Sequence, residues 1–268
     1  MGISGIYMLP MIEPKKSLGQ NFLHDSHIVQ KIKNALDIQP TDQLLEIGPG
    51  LGALTKVLLP EFNRYVAIEI DPRCIEQLLP LRKQHSYFQP ILGDFLSIDL
   101  SPWKRFTKVV GNLPYHIATP IMERIATCLE PKKIVCMFAS GTADRFIADT
   151  ASAHYSSASI LMQSFFTMKE VCTVQRGSFF PPPKITSKVI SFEPKNVPIA
   201  STLLFTKFVQ KIFSYRRKTL YNAIKNSFSL QVAEYLQSHI DISMQKRPEV
   251  VSREEYQELF LRYQESQK

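Results

Sequence analysis

The sequence has 268 residues, of which 44% are hydrophobic, and its 32 Lys and Arg outnumber its 24 Asp and Glu to give a net charge of +8. A chain of this length and apolar content can bury a large core, which excludes a disordered protein. No stretch reaches the 18 apolar residues of a membrane span, and the N-terminus lacks the basic region and cleavage site of a signal peptide. We therefore expect a globular, cytoplasmic protein without membrane contact.

The four cysteines argue against a zinc-binding protein and against a disulfide-stabilised one. They stand at positions 74, 128, 136 and 172 with no Cys-x-x-Cys pair, and no group of histidines accompanies them. This spacing predicts neither a metal site nor a disulfide framework, and it fits a reducing compartment.

Five short aliphatic runs alternate with segments of helical spacing in the first half of the chain. The runs are residues 43–48, 64–70, 88–94, 108–113 and 133–139. Such alternation predicts βαβ units and a parallel sheet, which is the α/β class. Two later apolar stretches, 164–174 and 188–194, are expected to extend the sheet at one edge. Between them, residues 179–184 (Phe-Phe-Pro-Pro-Pro-Lys) predict a rigid exposed loop, because proline lacks a backbone donor.

The pattern changes to helices near the C-terminus. Four helices are expected, within residues 201–217, 219–228, 231–240 and 252–265. Ser201 precedes the first of them, and Ser252 with Glu255 has the spacing of a capping box. The change from alternating strands and helices to helices alone predicts an α/β domain at 1–195 and a helical domain at 196–268. Residues 194–233 contain seven Lys and Arg and no acid, so they form either a phosphate-binding surface or a solvated face.

A glycine-rich turn follows the first strand, at Leu-Glu-Ile-Gly-Pro-Gly-Leu-Gly (45–52). Gly48 begins a turn whose backbone can approach a ligand without a Cβ in the way. Glu69 ends the next strand, where an acid binds ribose hydroxyls, and Asp94 follows the third strand. Both a dinucleotide and S-adenosylmethionine fit this layout. A ring of Glu46, Glu69 and Asp94 suits a cationic sulfonium better than a pyrophosphate and favours S-adenosylmethionine.

The fourth strand ends in Asn-Leu-Pro-Tyr, residues 112–115. An exocyclic amine of a nucleobase is a weak nucleophile because its lone pair is delocalised into the ring. The Asn112 side-chain oxygen and the Leu113 carbonyl can accept its two N–H groups, with Pro114 fixing the backbone. These bonds strengthen as positive charge builds on the nitrogen, and Tyr115 offers a plate for stacking. An ordinary turn uses the same residue types, but the position beside a cofactor turn favours a methyl-acceptor site.

Seven segments resemble, in order, the family of small-subunit rRNA adenine N6,N6-dimethyltransferases. They are residues 15–25, 45–55, 67–73, 93–96, 109–121, 179–187 and 215–225. The resemblance implies a Rossmann-like S-adenosylmethionine-dependent methyltransferase domain followed by a small all-helical domain. It also implies an enzyme, expected to be monomeric, that dimethylates two adjacent adenines in the 3′-terminal hairpin loop of 16S rRNA within the small ribosomal subunit.

The same resemblance assigns residues to roles. Residues 1–40 are expected to lie over the cofactor site, and Phe179 is expected to stack on the adenine opposite Tyr115, whereas Phe180 is expected in the core. The predicted cofactor-binding residues are Asn21, Leu23, Gly48, Glu69, Asp94 and Asn112. The predicted catalytic residues are Asn112, Leu113, Pro114, Tyr115 and Phe179. The predicted rRNA-binding residues, some of which could instead pack the helical domain, are Arg216, Arg217 and Lys218.

Two segments depart from the family pattern. Residues 139–146 keep Ala143 and Arg145 but lack the usual Gln-Lys-Glu charges, and residues 155–159 lack an arginine. Two rival functions stay open: a ribosome-assembly or nucleic-acid-binding factor without turnover, and a protein-amide methyltransferase, whose motif resembles Asn-Pro-Pro-Tyr. The intact Asn-Leu-Pro-Tyr and cofactor residues favour the rRNA methyltransferase, with a role in subunit biogenesis beside catalysis.

Overall fold

A computed structural model describes residues 12–150, 152–196 and 201–267. Its strands are β1 (Phe22–Leu23), β2 (Leu44–Ile47), β3 (Tyr65–Glu69), β4 (Phe88–Leu92), β5 (Lys108–Asn112), β6 (Lys133–Ala139), β7 (Phe166–Val174), β8 (Phe179–Phe180) and β9 (Ser187–Pro194). Its α-helices are α1 (Ser26–Leu36), α2 (Thr55–Leu58), α3 (Pro72–Gln84), α4 (Ala118–Cys128), α5 (Ser140–Ile147), α6 (Ser157–Phe165), α7 (Thr202–Phe213), α8 (Leu220–Ser227), α9 (Leu230–His239) and α10 (Arg253–Glu265). None of the helices in these ranges combines the length and apolar character needed to cross a bilayer.

Seven strands form one sheet in the order β4-β3-β2-β5-β6-β9-β7. The first five are parallel, and β9 is antiparallel to both β6 and β7. The five predicted parallel strands are confirmed, as is the extension of the sheet at one edge. The order reverses direction at β2, which lies between β3 and β5. In open α/β sheets, ligands bind at the carboxyl ends of the strands beside such a point.

Helices cover both faces of the sheet, which explains why its central strands are buried along almost their whole length. Every residue of β2 is buried, and alternate side chains enter different clusters. Leu45 packs on the face that α4 covers, whereas Leu44 packs on the face that α1 covers. The sheet is therefore a rigid layer whose strand ends hold their side chains in fixed positions.

Of the C-terminal helices, α7 packs on α4 and α6 and α10 packs on α6, while α8 and α9 pack against α7 and α10, respectively. Aromatic rings join the two parts, since Phe205 lies 5.9 Å from Phe165 and 5.3 Å from Phe260, centroid to centroid. The predicted capping box is confirmed: Ser252 Oγ accepts the Glu255 N–H at 3.1 Å, and Glu255 Oε2 accepts the Ser252 N–H at 2.7 Å. One apolar cluster runs from the sheet into these helices, and the domain boundary at residue 195 stays a prediction.

A second, two-stranded sheet joins distant parts of the chain. β1 pairs antiparallel with β8, so that Leu23 is opposite Phe179 and Phe22 is opposite Phe180. The prediction that residues 179–184 are entirely loop is therefore wrong at its first two positions. The prolines follow the paired residues, where the missing donor interrupts no ladder. Of the N-terminal segment expected over the cofactor site, residues 1–11 lie outside the described ranges.

The two segments that depart from the family pattern form internal contacts. Asp144 of α5 pairs with Lys188 at 3.0 Å, and Ser159 Oγ donates to the Arg145 carbonyl at 2.5 Å. Tyr155 donates its hydroxyl hydrogen to the Val251 carbonyl at 3.0 Å, which ties the turn before α6 to the helical region. Together the two segments thus form an ion pair and hydrogen bonds within the fold.

Candidate active site

A cavity opens at the carboxyl ends of β2, β3 and β5, and the segment before β1 covers it. Nine of the residues predicted from the sequence line this cavity: Asn21, Leu23, Gly48, Glu69, Asp94, Asn112, Leu113, Pro114 and Tyr115. Four others are not part of its lining: Phe179, Arg216, Arg217 and Lys218. The cofactor turn and the Asn-Leu-Pro-Tyr loop therefore meet in one site, as predicted.

The glycine turn brings bare backbone to the cavity wall. Gly48 has φ +66° and Gly50 has φ +55°, in the left-handed region that side chains other than glycine rarely adopt. A Cβ on Gly50 would lie 3.1 Å from the Phe22 ring, whereas a Cβ on Gly48 would meet only the Asn112 carbonyl oxygen, at 4.0 Å. The space beside Gly48 is therefore open to a ligand.

Glu69 ends β3 with its carboxylate held by two backbone donors. Oε2 accepts the Gly50 N–H at 3.0 Å, and Oε1 accepts the Asp71 N–H at 2.9 Å. Burial raises the pKa of this carboxyl, and the backbone donors oppose that rise. The carboxylate is thus fixed between the glycine turn and the start of α3, where it borders the cavity.

Asp71 lies behind Glu69 and was not singled out from the sequence. Its buried carboxylate accepts from Arg73 Nε at 3.0 Å and from Gln20 Nε2 at 2.9 Å. The Arg73 guanidinium holds the pKa of this carboxyl well below its usual range. Because Gln20 belongs to the segment before β1, Asp71 fastens that segment to the end of β3. Its position as N-cap of α3, just before Pro72, was a signal in the sequence.

Asp94 forms the far side of the cavity, in the turn after β4. Its Oδ1 accepts the Leu96 N–H at 2.9 Å, and the neighbouring Gly93 N–H donates to the Glu69 carbonyl at 2.8 Å. The first bond closes the turn after β4, and the second joins that turn to the end of β3. Both predicted acids, Glu69 and Asp94, consequently border the same cavity.

Glu46 does not present a free carboxylate to the cavity, as the predicted acidic ring of Glu46, Glu69 and Asp94 would require. Its Oε2 accepts hydrogen bonds from Thr55 Oγ1 and from the Tyr65 hydroxyl, each at 2.6 Å. The side chain is 1% exposed, and burial raises its pKa to about 7, with the charge of Glu69 acting in the same direction. Glu46 borders the cavity but is turned toward two hydroxyl donors. Neither donor was foreseen, because both contacts depend on how the helix after the glycine turn and β3 pack.

Asn112 is the last residue of β5 and connects the two halves of the site. Its Nδ2 donates to the Asn21 carbonyl at 2.9 Å, which leaves Oδ1 as an acceptor beside the cavity. The Leu113 N–H donates to the Met137 carbonyl at 3.1 Å, and the Pro114 carbonyl accepts the Ile117 N–H at 3.1 Å. These bonds fix the loop that was predicted to accept an amine.

The aromatic pair Phe179 and Phe180 differs from expectation. Phe179 is 2% exposed and packs among apolar side chains that include Leu23, while Phe180 is 52% exposed. The expectation that Phe180 lies in the core is wrong. Alternate residues of a strand face opposite sides, and the pairing with β1 places Phe180 beside Phe22 of the cavity wall.

The predicted rRNA-binding residues lie away from the cavity. Arg216, Arg217 and Lys218 are exposed in the turn between α7 and α8. The backbone of this turn is ordered by hydrogen bonds, including that of the Lys218 N–H to the Tyr215 carbonyl at 2.9 Å. Three cations therefore project together from the helical region.

Comparison with known proteins places this geometry in a family. The pattern of the family described as "Ribosomal RNA adenine dimethylase" matches residues 11–265. The chain belongs to this family. "Ribosomal RNA small subunit methyltransferase A" of Borreliella afzelii is 36% identical over 245 residues, which are 91% of this chain and 87% of the relative. The protein of the same name from Syntrophotalea carbinolica is 37% identical over 258 residues, covering 92% and 95%.

A solved structure supports the same assignment. The dimethyladenosine transferase from Plasmodium falciparum superposes with a TM-score of 0.75 at 26% identity, over 92% of this chain and 98% of that one. As a member of the ribosomal RNA adenine dimethylases, the chain is an S-adenosylmethionine-dependent methyltransferase with a Rossmann-like sheet and a C-terminal helical region.

The cavity fits this cofactor chemically. The open face at Gly48 admits a ligand against the backbone, and the carboxylates of Glu69 and Asp94 can accept from hydroxyl and amino groups. Apolar side chains such as Phe95 and Ile117 complete the lining and suit an adenine ring.

Proposed function

We propose that this chain dimethylates the N6 amines of two adjacent adenines in the 3′-terminal hairpin loop of 16S rRNA in the small ribosomal subunit. The observation that carries the proposal is the orientation of Asn112, whose Nδ2 is occupied by the Asn21 carbonyl so that Oδ1 is left for an incoming amine. The relatives that match most of the chain bear the name of a small-subunit rRNA methyltransferase. We place the reaction in the cytoplasm and expect a monomeric enzyme.

S-adenosylmethionine, when bound, supplies an electrophilic methyl group. The proposed residues around it are Asn21, Leu23, Gly48, Glu69, Asp94 and Asn112, all of which line the cavity. Glu69 suits the ribose hydroxyls, because its two oxygens are held in place by backbone donors. Asp94 suits the adenine amino group at the other side.

The acceptor amine is proposed to bind at the Asn-Leu-Pro-Tyr loop. Asn112 Oδ1 and the Leu113 carbonyl accept its two N–H groups and draw the nitrogen toward tetrahedral geometry. Both hydrogen bonds strengthen as positive charge develops on the nitrogen, which lowers the barrier selectively. The proton that leaves the methylated amine passes to water, so no strong general base is required.

The target base is proposed to leave its stack and enter beside Tyr115. Bases in hairpin loops are partly unstacked, which makes this step inexpensive. Tyr115 borders the cavity and can stack on the ring. Phe179, which was expected to stack on the base opposite Tyr115, is instead buried beside Leu23 and outside the cavity lining, so it has no exposed face for the base. Exposed Arg216, Arg217 and Lys218 are proposed to bind rRNA phosphates, which position the subunit without reading sequence.

The test uses labelled S-adenosylmethionine and small subunits from a strain that lacks the modification, followed by nucleoside analysis. N6,N6-dimethyladenosine in the small-subunit rRNA is expected, with none in large subunits and none when Asn112→Ala replaces the wild type. Salt-dependent binding of subunits without transfer of label would contradict the proposal and would instead favour an assembly factor on the same fold. Label in protein amide groups would favour the protein-methylating alternative.

A further inference from the structure

A hydrogen bond outside the predicted site holds the ring of Tyr115. Its hydroxyl lies 2.6 Å from Ser187 Oγ, although the two residues are 72 positions apart in the chain. Tyr115 borders the cavity and is half-buried, whereas Ser187 is fully buried. The Tyr115 ring therefore extends from the cavity wall toward the sheet, where its hydroxyl hydrogen-bonds to the side chain of Ser187.

Ser187 is a rigid anchor for this bond. It is the first residue of β9 and pairs with Ala139 of β6 on one side and Val174 of β7 on the other. The preceding residue, Thr186, accepts the Ser140 N–H through its carbonyl at 3.0 Å, and its hydroxyl lies 2.7 Å from Ser140 Oγ. A side chain held between two strands moves little, so it can fix a ring that belongs to a loop.

We propose that Ser187 is a positioning residue of the methyl-transfer reaction and acts through the Tyr115 hydroxyl. The inference rests on the proposed function, because it assumes that Tyr115 stacks on the target adenine. Transfer requires the acceptor nitrogen at a defined distance and angle from the methyl group, and small displacements of the base reduce the rate strongly. A tilted Tyr115 ring would admit the base in several orientations.

The location of Ser187 gives the bond a second effect. Ser187 ends the proline-rich connection that begins after β8, and β8 carries Phe179. The bond to Tyr115 consequently ties the Asn-Leu-Pro-Tyr loop to the strand that follows this connection.

The inference is tested with Ser187→Ala, Tyr115→Phe and the double variant, each assayed for methylation of small subunits and for cofactor affinity. We expect kcat/KM for subunits to fall about tenfold in each single variant, as for the loss of one oriented hydrogen bond, with the loss mainly in kcat. The double variant should lose about the same tenfold, because both changes remove one bond. Cofactor Kd should stay within about twofold of wild type.

Ser164→Ala is the matched control, since Ser164 is also fully buried and its hydroxyl has no partner among the described residues. It deletes the same atom outside the cavity lining and should retain full activity. Ser187→Ala behaving like Ser164→Ala would overturn the inference, as would losses that multiply to about a hundredfold in the double variant. If Ser187→Ala does not fold, Tyr115→Phe decides, and full activity of that variant overturns the inference. Absence of methylation by the wild type would refute the proposed function instead.

Discussion

Replacing Glu46 by Gln is expected to stabilise the free protein at pH 8 and to change its stability little at pH 5. Glu46 is 1% exposed and accepts two hydroxyl hydrogens, from Thr55 and Tyr65. Desolvation outweighs these bonds and raises the pKa of the carboxyl to about 7. A glutamine of nearly the same shape can accept from the same hydroxyls but carries no charge to desolvate.

The size and sign of the effect follow from proton linkage. The ordinary pKa of 4.5 applies to the unfolded chain, and the folded pKa is about 7. The stabilising effect of the bound proton is fully present below pH 4.5 and is lost as the pH rises through 7. The folded and unfolded pKa values differ by about 2.5 units, and each unit corresponds to ~1.4 kcal/mol, so the unfolding free energy lost at high pH is about 3 kcal/mol. Wild type and Glu46→Gln should therefore differ by less than about 1 kcal/mol at pH 5 and by about 3 kcal/mol at pH 8.

The measurement is urea unfolding at pH 5, 6.5 and 8 without cofactor, followed by fluorescence of the single tryptophan, Trp103, which is buried. Other carboxyls also titrate, so only the difference in unfolding free energy between the variant and wild type is interpreted. Glu234→Gln, at an exposed site on α9, is the control and should give a difference that does not change with pH. If the difference in unfolding free energy between Glu46→Gln and wild type is also the same at all three pH values, the raised pKa of Glu46 is refuted.

Three further predictions concern the site and the basic turn. Glu69→Ala is expected to weaken S-adenosylmethionine binding at least ~tenfold in equilibrium dialysis, because it removes the carboxylate that the Gly50 N–H fixes. Asn112→Ala should abolish transfer of label while cofactor Kd changes less than ~threefold. An equal loss of cofactor affinity in both variants would contradict the assignment of binding to Glu69 and of transfer to Asn112. The combined change of Arg216, Arg217 and Lys218 to Ala should weaken subunit binding and lower the slope of log K against log salt by up to about three.

The control for the basic turn is the pair Arg82→Ala and Lys83→Ala, two exposed cations in the last turn of α3. α3 packs on β3 and β4, at the edge of the sheet opposite β7. An equal reduction of the salt slope in this variant would show that general charge, rather than the turn between α7 and α8, governs binding to subunits.

The sheet could be predicted from the sequence because its strands are short buried runs between polar segments. β2, β3 and β5 begin and end within two residues of their predicted bounds. The cofactor turn and the two acids could be placed for a related reason. Parallel strands end at one edge, so residues that follow successive strands, such as Gly48, Glu69 and Asp94, must come together there.

Contacts between segments far apart in the chain could not be predicted in the same way. Which of Phe179 and Phe180 faces the core depends on the register with β1, and a shift of one residue exchanges the two. The bond between Tyr115 and Ser187 likewise requires the position of β9 between β6 and β7. Local pattern carries no information on either, because nothing in a segment specifies its distant partner.

The segment before β1 contacts both halves of the site through two adjacent residues. Gln20 donates to Asp71, whose backbone N–H in turn donates to Glu69, while the Asn21 carbonyl accepts from Asn112. One side of this segment thus leads to the proposed ribose acceptor, and the other leads to the proposed amine acceptor. Because its displacement would disturb both, loss of turnover in a variant of this segment has two possible origins. Cofactor affinity and methyl transfer must therefore be measured together for Glu69→Ala and Asn112→Ala, since only their ratio separates binding from chemistry.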